Sequence, residues 1–435
     1  MDKKISSLVP TIIMIVFIGL ILSIVRTSIF SHVEEEKHIY FEIVFLLLLA
    51  VAGELVVLYL RLPSVMILMI LGIFLSHSFI ETFWTFLNSL NLSFIPRESP
   101  DIIRLESIIH VFSQLGGVIL LFKVGLHNKI ERIFSKENIV VASLGVIFPF
   151  LVGFLYASLT GGNFAYSMFL GAALTATSVG VSVAILKEAK LIEEKFAQII
   201  IGAAIIDDIL GLLVLSIVLN VTGGEVTIEP IVITVISAAV FIAGAILAGN
   251  KIIEYLDKKE LSTRRFLLVL CVMLFYAYIA EFIKLSAIVG AFIAGVILNR
   301  SKHLHEIEEK TYGLEMLFMP IFFISLGTLV EIDAIFEFSI PILVISSIAL
   351  LSKIIPCAIG SLISKISMKE SLLIGVGMAP RGEVALIVAA LGLSAGILSG
   401  AQYSIISAMA LLTTFAVPPI LTHLLKADTA VQIKN

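Results

Sequence analysis

Charged residues are scarce in this sequence, and that scarcity excludes most classes of soluble protein. Asp, Glu, Lys and Arg together make up 14% of the 435 residues, whereas soluble globular domains contain about 25%. Apolar residues make up 59% of the chain, and the mean hydropathy is +1.11. Because such a chain would expose apolar surface everywhere in water, the composition predicts a protein that lies in a lipid bilayer.

Cysteines and long polar segments are also rare. The two cysteines, Cys271 and Cys357, lie inside apolar runs, which excludes a disulfide framework and a cysteine metal site. The longest stretch without an apolar run, residues 82–107, is too short to form a separate soluble domain. The net charge of −4 and the lack of a basic cluster predict that there is no nucleic-acid partner.

Long apolar runs, in contrast, fill the chain. A bilayer core about 30 Å thick is crossed by roughly 20 helical residues, and we find fourteen runs near that length. The sequence therefore predicts an all-α polytopic membrane protein with about 14 transmembrane helices. The runs cover residues 7–30, 41–60, 62–79, 105–126, 138–160, 165–186, 196–221, 228–249, 265–283, 285–299, 313–330, 335–363, 371–393 and 401–425.

The positively charged residues indicate how these runs are oriented. With the N-terminus in the cytoplasm, 21 of the 29 Lys and Arg residues fall on the cytoplasmic side and 5 fall outside. Membrane proteins concentrate basic residues on the cytoplasmic side, so this asymmetry predicts that both termini are cytoplasmic. The other three are Lys353, Arg381 and Lys123, and we expect Lys123 to extend towards the cytoplasmic head groups.

Two adjacent carboxylates, Asp207 and Asp208, lie in the middle of the run 196–221. An ionised side chain at the bilayer centre costs about 2.5–3.5 kcal/mol, so each one needs a function or a partner. Neighbouring residues of a helix point about 100° apart, so the two carboxylates do not face the same partner. We therefore predict different roles for them.

Lys353 is another ionisable residue deep inside an apolar run. At about 1.5 Å per residue it lies about 15 Å from the cytoplasmic end of that run, which is a long way for its side chain to reach. A carboxylate is the natural counter-charge for a buried lysine. The sequence therefore predicts a buried ion pair that contains Lys353.

The run 371–393 contains a signal for a break in its helix. Pro380 removes a backbone donor and Gly382 adds conformational freedom, while Arg381 and Glu383 place two charges beside them. A broken helix at mid-membrane is tolerated only where protein or a water-filled cavity satisfies the freed backbone groups. We expect Arg381 and Glu383 to compensate the helix ends that meet there.

The run 165–186 has a comparable interruption, with Thr175, Thr177 and Ser178 at its middle. An offset of about 204 residues aligns the two interruptions and pairs spans 2–7 with spans 9–14, with span 8 as a connector. The second copy then has the opposite orientation in the membrane. Such inverted repeats with discontinuous helices are typical of secondary transporters, and the broken helices mark the transport site.

Three segments make the chain resemble a known family, namely TATSVG at 175–180, GAAIIDDILG at 202–211 and GMAPRGE at 377–383. Over about residues 41–425 the chain resembles the monovalent cation:proton antiporters, and it is most similar to the bacterial NapA-type Na⁺/H⁺ antiporters. The resemblance implies the NhaA/NapA-like fold, in which two discontinuous helices cross.

The resemblance also implies roles for the buried charges. The residue that Asp208 matches is the principal ion and proton carrier of the family, and the one that Asp207 matches pairs with the lysine at Lys353. Both aspartates would then bind Na⁺, and the paired aspartates imply electrogenic exchange. The residues expected at the crossing of the broken helices are Thr175, Thr177, Ser178, Pro380, Arg381, Gly382 and Glu383.

The resemblance further divides the chain into a core that moves against a panel. It implies a homodimer in contact with membrane lipid, and we expect the first helix to be additional to the pattern of the family. The expected parts are an N-terminal helix and outer loop (1–40), the exchanger domain (41–425) with its core (138–221 and 335–425) and panel (41–126 and 265–330), and a short cytoplasmic tail (426–435).

The function implied is secondary active transport, in which Na⁺ or Li⁺ is exchanged for H⁺ across the cell membrane by alternating access. Neither enzymatic activity nor a cofactor is expected beyond the transported Na⁺ and H⁺. Ion selectivity depends on ångström-scale geometry, so a K⁺/H⁺ or mixed Na⁺/K⁺ antiporter stays an alternative. A Na⁺-coupled organic-solute symporter is a further alternative, and it would need a larger polar pocket.

Overall fold

Helices make up the regular structure in the described part of this chain. The computed structural model describes residues 23, 26–28, 35–60, 63–90, 97, 99, 100, 102, 106–128, 133–222, 229–257, 264–283 and 285–432. Within these ranges it contains seventeen helices and no β-strand. The predicted span 7–30 lies outside the described residues except at positions 23 and 26–28. Residues 433–435 of the predicted tail lie outside them as well.

The helices follow the apolar runs of the sequence. Their bounds are α1 (Glu35–Leu60), α2 (Ser64–Phe74), α3 (His77–Ser89), α4 (Glu106–Leu126), α5 (Lys136–Leu159), α6 (Phe164–Thr175), α7 (Val179–Glu188), α8 (Lys195–Thr222), α9 (Glu229–Leu256), α10 (Arg265–Phe282), α11 (Ala287–Leu298), α12 (Leu304–Thr328), α13 (Ile332–Glu337), α14 (Ser339–Ile363), α15 (Met368–Gly377), α16 (Glu383–Ser394) and α17 (Gly400–Gln432).

Polar residues just before several helices fix where those helices begin. A helix leaves its first backbone N–H groups without partners, and a Ser or Asn side chain at the preceding position accepts a hydrogen bond from one of them. Five helices begin in this way. The caps are Ser76, Ser135, Asn163, Ser286 and Ser367.

In the described part of the chain, ten spans are long and apolar enough to cross a membrane, and the bent pair α2–α3 would make eleven. The broken pair α6–α7 counts as one of the ten. Among the remaining predicted spans, α11 has only 12 residues, and α15 and α16 are two short halves of one run. The protein is therefore an all-helical, multi-pass membrane protein, and the count of fourteen stays a prediction.

The predicted spans 62–79 and 313–330 differ from the helices that the structure shows. The third predicted span ends at Phe74, and the chain bends by 55° between α2 and α3. The helix expected at 313–330 begins earlier, at Leu304, and so includes a polar segment that precedes the apolar run. Lys310 Nζ lies 2.8 Å from Glu306 Oε1, an i,i+4 pair that stabilises this segment.

The helices pack in two groups. In the first bundle, α4 packs against α11 and α12, while α2 packs against α1 and α12 and α10 packs against α11. In the second bundle, α5 packs against α6, α8 and α14, while α17 packs against α14 and α16. The short helix α7 contacts α8 and α17 of the second bundle and also α4 of the first. It therefore lies where the two bundles meet.

Pairs of glycines bring helices of the first bundle into backbone contact. A Cβ added to Gly72 of α2 would lie 2.8 Å from the Cα of Gly327 in α12. A Cβ added to Gly125 of α4 would lie 3.0 Å from the Cα of Gly295 in α11. These distances leave no room for a side chain, so the glycines set how closely the two helix pairs cross.

Candidate functional site

The two interruptions predicted from the sequence lie against each other. The chain leaves α6 at Thr175 and re-enters a helix at Val179, and it leaves α15 at Gly377 and re-enters one at Glu383. The backbone N–H of Ser178 donates a hydrogen bond of 2.8 Å to the carbonyl oxygen of Pro380. Each broken helix thus satisfies a backbone group freed by the other, as burial in a membrane requires.

One side chain from the first interruption and one from α7 add two further links to the second interruption. Thr177 Oγ1 donates to the carbonyl of Met378 at 3.3 Å, and Ser182 Oγ donates to the carbonyl of Gly377 at 2.6 Å. Both acceptors are carbonyls at the end of α15, which have no partner in their own helix. At Gly382 a Cβ would lie 2.7 Å from Cβ of Ser178, so glycine is needed for the close approach.

The charged side chain of Arg381 lies between the two interruptions. Its side chain is fully buried, and Nη1 donates to the carbonyl of Ala176 at 2.5 Å while Nη2 donates to the carbonyl of Ala349 at 2.9 Å. Both acceptors are backbone oxygens that carry partial negative charge, and Ala176 follows the end of α6. The guanidinium therefore contacts the carboxyl end of α6 and a carbonyl inside α14. Its predicted compensation of the helix ends at the crossing stays a prediction.

Two threonines of α17, which are not among the predicted site residues, hold the backbone at Arg381. The N–H of Arg381 donates to Thr413 Oγ1 at 3.3 Å, and Thr414 Oγ1 donates to the carbonyl of Arg381. Both side chains are buried. The adjacent pair of hydroxyls inside the apolar run 401–425 was the available signal, because mid-membrane hydroxyls need partners.

Asp207 and Lys353 form a buried ion pair between α8 and α14. Lys353 Nζ lies 2.6 Å from Asp207 Oδ1, and the two side chains are 1% exposed or less. Lys353 Nζ also donates to the carbonyl of Thr175 at 2.7 Å, at the end of α6. The pair is therefore tied to the interruption of the first broken helix, and two hydrogen bonds offset part of the cost of burying the ammonium.

Asp208 lies on a different side of α8. It lines a cavity of about 50 Å³ between the two bundles, which is room for a few water molecules. Thr177 and Ser178 from the interruption line the same cavity, and so do apolar side chains of the first bundle. Asp208 is only partly buried, in contrast to its neighbour. The two aspartates therefore have different surroundings, in accord with the angle between adjacent helical residues.

The structure brings most of the predicted site residues into one region. Asp207, Lys353, Thr175 and Arg381 are linked through side chains and backbone carbonyls, and Asp208 lies on the cavity beside them. Glu383 begins α16, and its side chain lies outside the described part of the structure. Its predicted contribution to charge compensation therefore stays a prediction.

Lys123 differs from the prediction. It does not extend to the head groups, because Nζ lies 2.6 Å from Glu315 Oε2 and the side chain is only 11% exposed. Lys187 of α7 pairs with the same carboxylate, and Glu315 is 4% exposed. Glu315 lies in α12 next to apolar residues, and that position was the signal for a buried carboxylate with a cationic partner.

A resident metal site is not evident in the described ranges. They contain no group of three or more His, Cys, Asp or Glu side chains that would hold a metal ion. A transported monovalent cation is a different case, because it binds reversibly and its oxygen ligands need not include three His, Cys, Asp or Glu side chains. Asp208, Thr177 and Ser178 line the same cavity, and carboxylate and hydroxyl oxygens are ligands of the kind that a hard cation binds.

Comparisons with known proteins identify the class to which this fold and site belong. A family model described as "Sodium/hydrogen exchanger, transmembrane" matches residues 43–427. The chain therefore belongs to the sodium/hydrogen exchanger family. The resemblance to the monovalent cation:proton antiporters is thereby confirmed, whereas the closer likeness to the NapA type stays a prediction.

Individual relatives are named as antiporters. The chain is 35% identical over 327 residues to the high-affinity Na⁺/H⁺ antiporter NhaS3 of Synechocystis, and the match covers 72% of this chain and 71% of the relative. It is 32% identical over 325 residues to the Na⁺/H⁺-K⁺ antiporter GerN of Bacillus cereus, with 73% and 84% covered.

A solved structure shares the fold. The sodium proton antiporter MjNhaP1 of Methanocaldococcus jannaschii superimposes with a TM-score of 0.64 at 18% identity, and the match covers 92% of this chain and 97% of that one. At this identity the likeness concerns the arrangement of helices alone.

Proposed function

We propose that this protein exchanges Na⁺ or Li⁺ for H⁺ across the cell membrane by alternating access. The observation that carries the proposal is the position of Asp208, which lines a cavity between the two bundles next to the interruption of α6–α7. The family and the relatives named as Na⁺/H⁺ antiporters support the same function.

Asp208 is the residue at which the two ions compete. Its carboxylate holds a proton or Na⁺ but not both, because protonation removes the charge that attracts the cation. Thr177, Ser178 and water complete the set of oxygen ligands. A charged, empty site would face the apolar side chains of the first bundle during the conformational change, which is unfavourable. The carrier therefore moves only when loaded, and that restriction couples the two ions.

Asp207 supplies a second, coupled charge. With Na⁺ absent it is neutralised by Lys353 at 2.6 Å. When Na⁺ binds, Asp207 turns to the cation and Lys353 loses its counter-charge, which favours release of a proton from the ammonium. Exchange then moves two protons for each Na⁺ and is electrogenic.

The finer architecture belongs to the same proposal. We assign the first bundle to the panel of a homodimer and the second bundle to the moving core, in a NhaA/NapA-like fold of about 14 helices. The glycine contacts support the inverted repeats, because α2 with α12 and α11 with α4 are the same pair in the two copies. Both termini are assigned to the cytoplasm and the protein to the cell membrane, in contact with lipid.

The direct test is Na⁺-induced proton movement in acid-loaded proteoliposomes. We expect Asp208→Asn to abolish it, because the amide neither carries a proton nor attracts Na⁺. Glu193→Gln changes an exposed acid outside the site and should leave exchange unchanged. Exchange retained by Asp208→Asn would remove the centre of the mechanism.

A mixed Na⁺/K⁺ exchanger is a second candidate, because GerN is named a Na⁺/H⁺-K⁺ antiporter. The same vesicles distinguish it when Na⁺, Li⁺ and K⁺ are added in turn. We expect proton movement with Na⁺ and Li⁺. A response to K⁺ of equal size would favour the mixed exchanger.

A further inference from the structure

The last turn of α7 carries two charged residues that contact the other bundle. Lys187 forms an ion pair with Glu315 of α12. Its neighbour Glu188 accepts hydrogen bonds from Ser64 Oγ at 2.8 Å and from the N–H of Ser64 at 3.0 Å. Ser64 is the first residue of α2, where a carboxylate is favoured by the helix dipole. One end of α7 is thus joined to two helices of the first bundle.

Glu315 has two cationic partners, and they belong to different bundles. Lys123 lies in α4, which packs against α12, so it stays beside Glu315 whenever the first bundle moves as a unit. Lys187 lies in α7, which is continuous with the interruption near Asp208. Movement of the second bundle would separate Lys187 from Glu315 but would leave Lys123 in place. A buried carboxylate would then keep a counter-charge, which it needs.

The contacts of Lys187 and Glu188 close one end of the space between the bundles. Gly180, Ala184 and Lys187 lie on one face of α7, three and four residues apart. Gly180 lines the Asp208 cavity, Ala184 is 5% exposed and Lys187 contacts Glu315. A buried turn of α7 therefore separates the cavity from these contacts.

The cavity extends in the opposite direction. It is lined by Ser286, which precedes α11, whereas Asn299 at the other end of α11 donates to the carbonyl of Leu126 at 2.5 Å. Leu126 ends α4 near Lys123, so the Lys187 contacts lie at the Asn299 end. The two ends of α11 are about 18 Å apart at about 1.5 Å per residue. The cavity thus borders the Ser286 end of α11, whereas the Lys187 contacts lie at the Asn299 end.

We propose that the contacts of Lys187 with Glu315 and of Glu188 with Ser64 form a clamp that holds one end of the ion path closed. Lys123 stays paired with Glu315 when Lys187 leaves, and so allows the clamp to open. This inference rests on the proposed alternating-access function, because it assumes that the second bundle moves against the first. Under the proposed orientation the clamp lies at the cytoplasmic end, and the structure is the state that faces outward.

A cysteine at Ala184 reports whether the clamp is open. The exposed Cys271 is replaced by Ser, and the buried Cys357 is kept. The same protein without Ala184→Cys measures background labelling. The probe is a charged maleimide that does not cross the membrane, applied from the Lys187 side of reconstituted protein. We expect slow labelling of Ala184→Cys, because the clamp covers this turn.

Substitutions of Lys187 and Lys123 are expected to affect the labelling rate differently. Lys187→Met should raise the labelling rate by about fivefold or more, the low end of typical coupling between conformational states. Lys187→Arg keeps the charge and should preserve slow labelling, and Lys195→Met is the control at an exposed lysine. Lys123→Met should not raise the labelling rate. It should slow ion exchange, because opening the clamp would then leave Glu315 buried without a counter-charge. If Lys187→Met does not fold, Glu188→Gln tests the same direction with a smaller increase.

The proposal is overturned if Lys187→Met labels no faster than Lys195→Met, or if Lys123→Met accelerates labelling as much as Lys187→Met does. The second result would mean that any loss of charge simply loosens the structure. Labelling does not require ion transport, so a failure of the clamp is distinguishable from a failure of the proposed exchange, which Asp208→Asn tests separately.

Discussion

At the scale of single residues, the structure separates two aspartates that are adjacent in sequence. Asp207 is buried and held by Lys353, whereas Asp208 is partly exposed on a cavity. Their chemical type is the same, so the difference comes from which side of α8 each one faces. A neighbouring ammonium pairs with one carboxylate. Under the proposed mechanism, the other carboxylate is the one at which Na⁺ and H⁺ compete.

The ion pair also has a measurable structural role. We expect Lys353→Ala to lower the free energy of unfolding by about 3–5 kcal/mol, because Asp207 is left as a buried charge without its cation. The double variant Asp207→Asn/Lys353→Met removes both charges and should recover most of that loss. The thermal unfolding midpoint in detergent measures both effects, with Lys369→Met as a control at an exposed lysine. A single variant as stable as that control would contradict the prediction.

At the scale of helices, the site is formed by two broken elements that complete each other. The carbonyls freed at the ends of α6 and α15 accept from Lys353, Arg381 and hydroxyl groups. Because neither broken helix satisfies its own backbone groups, neither interruption would be stable in lipid alone. The two interruptions therefore depend on each other.

The contact between Gly382 and Ser178 tests this dependence. We expect Gly382→Ala to destabilise the protein by about 1–3 kcal/mol, because the new methyl group overpacks against Ser178. Ser178→Gly in the same chain removes the clashing atoms and should restore part of the loss. Gly313→Ala, where a Cβ has open space, serves as the matched control and should not destabilise α12. The thermal unfolding midpoints of these three variants and of the unmodified protein test the prediction. Equal midpoints for Gly382→Ala and Gly313→Ala would refute the packing argument.

At the scale of the whole molecule, the proposed mechanism moves net charge across the membrane. A charge that crosses the full membrane potential gains or loses about 2.3 kcal/mol per 100 mV. If the Asp207–Lys353 pair contributes the second proton, Asp207→Asn should exchange one proton for one Na⁺. Its rate should then be independent of an imposed potassium diffusion potential in proteoliposomes, whereas the rate of the unmodified protein should depend on it. Unchanged voltage dependence in Asp207→Asn would reject the second-proton role.

Much of this arrangement could be predicted from the sequence, because lipid makes buried charges and helix breaks conspicuous. The apolar runs gave most helices to within a few residues, and Pro380 with Gly382 located a break that the structure shows. The pairing of Lys353 with Asp207 followed from counter-charge and resemblance together. Lys123 was assigned wrongly because its partner Glu315 is 192 residues away, and sequence spacing along one helix carries no information about contacts between distant helices.

The glycine contacts of the first bundle have a mechanical consequence. Helices that touch backbone to backbone at Gly72–Gly327 and Gly125–Gly295 have no intervening side chains that could change rotamer and absorb sliding. The stiffness of this bundle is therefore set by the polypeptide backbone itself. We therefore expect deformation to concentrate where the bundles meet through side chains, so that the softest motion is displacement of one bundle along the other.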